Sequence, residues 1–310
     1  MGSISQRIIF EGDPLKIPVS AKWAAPKSIA EATHYTPGEG YHDTFAPWIC
    51  PESFRLHQLG LKKQTENGFD YEGGLHYFTF GTLWHRMHQA NALGHDPIEM
   101  LRRVADIPAD GREKLETLFL AYQLRYAKNS WWTFGAEAMI KVPVPGLSRI
   151  RRLSPITGKW RYIRPHFTVR YDRLVMADGQ ICNVEHKTTS RFSASSTLAE
   201  WRLHPQLVSQ QWAASKHPAL SKLYATIMDF AVKTREPDFF REPIIATKLQ
   251  KENFEHDLRA WTILREQLET DLGYDSPWPR TWACTNRYSV CQFVDYCHHG
   301  AVELYERRLE

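Results

Sequence analysis

The chain has 310 residues, 43% of them hydrophobic, enough to bury one large core or two ordinary ones. No apolar run reaches the roughly 20 residues of a membrane helix, and the polar start MGSISQR lacks the zones of a secretory signal, so the expectation is a cytoplasmic protein with no membrane partner. A net charge of +4 permits nucleic-acid binding without demanding it, and an odd count of five cysteines argues against a disulfide framework.

Residues 1–45 carry scattered Pro and Gly with no period and are expected to form an irregular extension. From 77 to 93, YFTFGTLWHRMHQANAL predicts a short strand or loop entering a helix near Gly81, with His85 and His88 one turn apart on one face. His88 is expected to be structural or solvated. A helix is predicted over 111–128, and WWTFGAEAMIKVPVPG then reads as a strand closed by Pro and Gly.

Between Arg149 and Tyr171 no residue is acidic, while Arg149, Arg151, Arg152, Lys159, Arg161, Arg164 and Arg170 are basic and Trp160 and Tyr162 interleave with them. Such a loop suits a polyanion whose backbone needs neutralising and whose bases can stack. A solvated loop with core-facing aromatics is the plain alternative.

Residues 167–189, FTVRYDRLVMADGQICNVEHKTT, carry the most chemistry. The Asp178-Gly179 pair between two hydrophobic arms is a strong signal for a two-residue hairpin turn. If it is the turn, residues whose numbers sum to 357 face each other, which sets Asp172 across from Glu185 with Cβ atoms about 4.5–5.5 Å apart. Two like charges so placed are destabilising unless a cation bridges them. The period of two brings Lys187 to the face of Glu185 and turns Val184 and His186 the other way, with Cys182 as buried packing.

Further on, Pro205 suits the first position of a helix carrying Gln206 and Gln210. IIATK at 244–248 reads as a strand, and NFEHDLRAWTILREQLETDL as a long amphipathic helix. Strands followed by helices around a central hairpin imply a mixed α/β domain. Near the end, CTNRYSVCQFVDYC spaces Cys284, Cys291 and Cys297 by six and five residues, a poor match to the tight knuckles of zinc ribbons. With Cys50 in WICPESFRL they make four thiolates, the number that holds a cubane iron-sulfur cluster. Zinc or uncoordinated thiols stay open.

Several motifs in order resemble the PD-(D/E)XK nuclease superfamily, specifically its RecB-like, CRISPR-adaptation-type exonuclease branch with an iron-sulfur cluster, over roughly 45–300. GTLWH at 81–85 is similar to that branch's first motif, RYDRL at 170–174 to its aspartate motif, EHKTT at 185–189 to E-x-K, and HPQLVSQQW to the glutamine helix that follows. Gln210 departs from the tyrosine usual there, and Glu137 matches a further acidic position only loosely. The resemblance implies an α/β fold with a restriction-endonuclease-like core, a central mixed β-sheet flanked by helices, and a C-terminal cysteine clasp. It divides the chain into an extension (1–45), a nuclease domain (46–300) and a tail (301–310).

The site it implies has Asp172, Glu185, Lys187 and Gln206 as catalytic residues. Mg²⁺ or Mn²⁺ would be held by His85, Asp172, Glu185 and the backbone carbonyl of His186, with Lys187 positioning or deprotonating the attacking water. Cys50, Cys284, Cys291 and Cys297 would hold a [4Fe-4S] cluster, and the basic residues before Asp172 would hold the DNA. The expected function is a metal-dependent DNA exonuclease acting on single-stranded or duplex ends in recombination, repair, phage DNA processing or CRISPR adaptation. A helicase or annealing partner would be a separate chain, since no phosphate-loop motif is present. The competing reading is a non-catalytic DNA-binding subunit that keeps the fold; its mark would be loss of Asp172, Glu185 or Lys187, and all three are present.

Overall fold

The computed structural model describes residues 26–27, 50–59, 61–63, 77–129, 131–189, 198–199, 201–202, 204–234, 236–281, 293, 295–300 and 305–307. Nearly all of the 1–45 extension, and with it that expectation, lies outside the described residues. In chain order the elements are α1 (Pro51–Gln58), β1 (Leu61–Lys63), α2 (Tyr77–Ala92), α3 (Pro97–Arg103), α4 (Ala109–Arg125), β2 (Trp132–Pro143), β3 (Ile150–Leu153), β4 (Trp160–Ile163), β5 (His166–Ala177) and β6 (Gln180–Thr189). There follow α5 (Pro205–Lys216), β7 (Leu223–Val232), β8 (Asp238–Ile244), α6 (Lys248–Asp271) and β9 (Tyr305–Arg307).

The centre is a five-stranded sheet in the order β2-β5-β6-β7-β8. It is mixed, because β6 and β7 run parallel while the other pairs are antiparallel, and the β6-to-β7 crossover carries α5. Alternation along β7 sorts the two flanking layers. Met228 and Phe230 pack with Leu207 of α5, whereas Ala231 joins the cluster built by α2, α3 and α4 around Trp84, Met87, Leu101 and Phe119. On the α5 side, Phe167 and Val169 of β5 bury against Trp212 of α5 and Phe254 and Leu258 of α6.

Asp178 and Gly179 both have positive φ (48° and 79°), as a type I′ turn requires, and the pairs Arg173↔Val184 through Ala177↔Gln180 keep the expected sum of 357. Three other expectations are corrected. The segment expected as a strand or loop before Gly81 is already helix, since α2 begins at Tyr77; the 3–4 spacing of the buried Phe80, Leu83, Trp84 and Met87 outweighs the strand-like look of YFTF. IIATK is not a strand. β8 ends at Ile244, and Thr247 caps α6 in a reciprocal box, its side chain accepting from Gln250 N while the Gln250 side chain accepts from Thr247 N.

The basic segment expected as a loop folds into the β3–β4 hairpin, closed by a turn in which Ser154 N donates to Lys159 O and Gly158 takes a positive φ of 63°. It is bound to α6. Arg152 Nε lies 2.8 Å from Glu269 Oε2, while Leu153 N and Arg151 N donate to Glu269 and Glu266. Residues 305–307 of the expected tail pair as β9 with β1.

Glu269 is 1% exposed and also receives Arg265 Nε and the Tyr274 hydroxyl, so one buried carboxylate ties the hairpin, α6 and the segment after it together. Replacing one partner of such a buried pair strands the others without a counter-charge. Glu269→Ala is therefore expected to lower the unfolding free energy by about 3–5 kcal/mol, measured by denaturant titration.

Candidate active site

The β5–β6 ladder stops at Arg173↔Val184, one pair short of Asp172 and Glu185. Beyond it β6 continues in register with β7, and the His186 N–H donates not to β5 backbone but to Asp172 Oδ2 at 3.0 Å. The strands thus part where the two carboxylates stand. On the other side of β5, Ala136↔Arg173 and Ala138↔Tyr171 bracket Glu137 and place it opposite Asp172. Glu137 has φ 51°, a left-handed backbone that costs a non-glycine residue free energy and recurs at functional sites. Glu137, Asp172 and Glu185 therefore form one row across three adjacent strands.

Each carboxylate has its own cationic or amide partners. His85 of α2 reaches Asp172, with Nδ1 3.1 Å from Oδ2. Burial would lower the His85 pKa, but the charge of Asp172 and the hydrogen bond to it prevail and raise it. Asp172 moves the opposite way: burial pushes it up, and His85 and Lys187 together hold it well below the usual carboxylate range. Lys187 Nζ lies 2.6 Å from Glu185 Oε1 and 5.0 Å from the ring centre of Trp201. Desolvation opposes its charge, yet Glu185 and Asp172 raise its pKa. Glu137 is paired with Arg170 (Nε to Oε2, 3.1 Å); burial and the nearby Asp172 still leave its pKa raised.

Glu185 is 1% exposed and is held by two amides one helical turn apart. Gln206 Nε2 donates to Oε1, and Gln210 Nε2 donates to Oε2 at 2.9 Å. Gln210 is itself locked, its Oε1 accepting from Asn183 Nδ2 at 3.0 Å and its backbone carbonyl from the Tyr171 hydroxyl at 2.8 Å. The residue that departs from the resembled pattern is thus fully engaged in the site.

Behind β6, His186 faces away from Glu185, as the period of two requires. Its ring stacks on His88 (centroids 3.6 Å apart, 14° between planes), and its Nδ1 lies 3.1 Å from Asp229 Oδ2 at ion-pair distance without hydrogen-bond alignment. Asp229 also accepts from the Tyr122 hydroxyl and from Arg241 Nε. Desolvation holds both histidines neutral, His88 most strongly. His88 is 3% exposed and structural rather than solvated. Its stack with His186 braces the strand segment that presents Glu185 and Lys187. This brace was missed from sequence; the one available signal was Asp229, a lone charge in the apolar strand YATIMDFAV.

The expected DNA-binding residues divide. Arg149, Lys159, Arg161 and Arg164 are exposed and Arg151 half-buried, but Arg152 is committed to Glu269 and Arg170 to Glu137. Of the expected cluster ligands, Cys284 and Cys291 lie outside the described residues. Cys50 is buried at the start of α1, and Cys297 packs against the pair formed by Leu56 of α1 and Phe293; neither is in a disulfide. Glu52 of α1 accepts from Trp278 N, and Arg280, two residues on, donates to the Cys297 carbonyl.

Among the described residues no three His, Cys, Asp or Glu side chains converge as a ready cation cage. The donor chemistry nonetheless fits a hard divalent ion, because Asp172 and Glu185 offer hard oxygens where β5 and β6 part and His85 an imidazole beside Asp172. His85 and Lys187 now neutralise those oxygens, so a bound ion would take over part of their role. No helix of the described residues is long and apolar enough to cross a membrane.

The double amide clamp sets a test. Gln210→Leu leaves Glu185 Oε2 and the wholly buried Asn183 amide without partners. Such orphaned groups cost about 1–3 kcal/mol, a loss in unfolding free energy that urea titration would record.

Among solved structures, the chain is similar to a candidate exonuclease from Eubacterium rectale at 11% identity, with 74% of this chain and 76% of that one covered and a TM-score of 0.39. It is also similar to SSO0001 at 12% identity, with 57% and 72% covered and a TM-score of 0.26. No curated protein sequence matches. The family model of the PD-(D/E)XK nuclease superfamily matches residues 48–298, and by that match, over most of its length, this chain belongs to the PD-(D/E)XK nuclease superfamily.

Proposed function

We propose that this protein is a divalent-metal-dependent deoxyribonuclease that hydrolyses phosphodiester bonds at DNA ends. The observation that carries the reading is the meeting of Asp172, Glu185 and Lys187, with His85 closing on Asp172, at the point where β5 and β6 part. Asp172, Glu185, the His186 carbonyl and His85 would hold Mg²⁺ or Mn²⁺, which supplies Lewis acidity and lowers the pKa of water. Glu137, in the same row, adds a third carboxylate on the β2 side.

Lys187, held by Glu185 and lying over Trp201, would position or deprotonate the attacking water and stabilise negative charge on the phosphorane oxygens. Gln206 and Gln210 hold both oxygens of Glu185 in place. The His186 N–H does the same for Asp172. DNA ends are proposed because the iron-sulfur branch whose motifs this sequence resembles mostly trims or resects DNA, in repair, recombination, phage DNA processing or CRISPR adaptation. A helicase or annealing protein would act as a separate partner.

A [4Fe-4S] cluster on Cys50, Cys284, Cys291 and Cys297 is part of the same proposal. It is supported by the packing of α1 against Phe293 and Cys297, which brings the segments bearing the first and last of those cysteines together. Its role would be a clasp whose binding energy adds to folding.

The activity is tested with 5′-labelled, 3′-labelled and covalently closed circular DNA in Mg²⁺ or Mn²⁺. Native protein is expected to degrade the linear substrates and spare the circle, while Asp172→Ala and Lys187→Ala lose cleavage and retain DNA binding. Full activity in either variant would reject the assignment. For the clasp, protein purified anaerobically is expected to be brown, with iron and acid-labile sulfide in equal amounts; colourless, iron-free protein would count against the cluster.

A further inference from the structure

The β3–β4 hairpin sorts its basic residues by what they touch. Arg152 and the backbone N–H groups of Arg151 and Leu153 fasten it to Glu266 and Glu269, and Leu153 packs against the cluster of Tyr274 and Trp278. These contacts leave a different set facing water. Arg151 lies opposite Tyr162 in the register and reaches diagonally over Trp160, with Cζ 4.5 Å from the ring centre. Arg149, just before the strand, lies 4.8 Å over the ring of Tyr162. The rings remain open, Trp160 at 38% exposed and Tyr162 at 59%. Lys159, Arg161 and Arg164 flank them in a stretch without one acidic residue.

Large rings left in water are costly, and each is here oriented by a guanidinium. A duplex offers such a surface phosphates only, since its base faces are stacked inside. A single strand offers both phosphates for the guanidinium groups and unstacked bases for the rings. The hairpin also leads directly into the strand that carries Asp172, because β4 passes within three residues into β5. Asp172 follows His166 by six residues, about 20 Å of extended strand.

We propose that the Arg149–Tyr162 and Arg151–Trp160 ladder is a single-strand guide that binds the unpaired DNA strand delivered to the catalytic carboxylates. The proposal rests on the nuclease reading above and assigns its substrate as single-stranded DNA, or an end already opened. The two rings present stacking surfaces for bases, and the guanidinium groups of Arg149 and Arg151 neutralise the phosphates between them.

The test measures binding of fluorescein-labelled oligothymidylate, and of a blunt duplex of equal length, in EDTA so that nothing is cut. Trp160→Ala/Tyr162→Ala is expected to weaken single-strand binding about tenfold or more, from the usual worth of base–aromatic stacking, and to leave duplex binding unchanged. Arg149→Gln/Arg151→Gln keeps the rings and is expected to flatten the salt dependence of single-strand binding by about 1.4 in log–log slope for two lost phosphate contacts. Arg149, Trp160 and Tyr162 are exposed and Arg151 is half-buried, so matched thermal unfolding serves as the folding control. Unchanged single-strand binding in the ring variant, or equal loss for duplex, overturns the guide.

Hydrolysis of bis(p-nitrophenyl) phosphate in Mn²⁺ separates the two readings, because this diester is too small to span from the carboxylates to the hairpin. The ring variant is expected to hydrolyse it at the native rate. If the native protein hydrolyses neither this diester nor DNA, the nuclease reading fails, while the binding comparison still decides the guide.

Discussion

Three carboxylates side by side in a nearly dry sheet repel one another, and the architecture around the centre is organised by the need to hold them. Glu137, Asp172 and Glu185 occupy adjacent strands at one level, and without counter-charges the strands could not keep that register. Neutralisation comes from three directions. Arg170 of β5 pairs with Glu137, His85 of α2 with Asp172, and Lys187 of β6 with Glu185. A row of carboxylates that needs positive charge beside it is also a place suited to a metal ion.

The scaffold behind that row is built to prevent relaxation. Two glutamines on α5 pin both oxygens of Glu185, so the carboxylate cannot rotate away when its neighbours change. On the reverse of β6, the His88–His186 stack and the Asp229–Tyr122–Arg241 network bind the strand to α2, α4 and β8. Alternating side chains on one short strand thus serve two purposes: Glu185 and Lys187 face the candidate site, and His186 between them anchors the backbone. Preorganisation of this kind removes the cost of ordering the groups at the moment of reaction.

How far sequence reading reached depended on how local each feature was. The Asp178-Gly179 turn, its register, the facing of Lys187 and the helix start at Pro205 all follow from neighbours in the chain, and each is seen in the structure. The strand read at 244–248 failed although a cap signature, Thr247 with Gln250 three residues on, was present, because the hydrophobic pair Ile244-Ile245 outweighed it. The basic segment was read as one surface because all its arginines look alike in sequence. What separates Arg152 from Arg151 is the hairpin register and a carboxylate 117 residues away. Gln210 looked like a departure from a pattern, and only its contacts with Asn183, Tyr171 and Glu185 reveal that an amide can do the holding there.

By itself, the sequence determined that Asp172 and Glu185 stand near one another in hairpin register with Lys187 on the face of Glu185. Those facts rest on turn chemistry and strand periodicity, which act over a few residues. The tertiary structure decided how the groups are shared out. It set Glu137 in the row, paired Lys187 with Glu185, buried His88, withdrew Arg152 and Arg170 into ion pairs and left Arg149 and Arg151 stacked on the open rings of Tyr162 and Trp160. Each of those outcomes depends on a partner from a distant element and on how much water remains around the pair, and neither is written in local spacing.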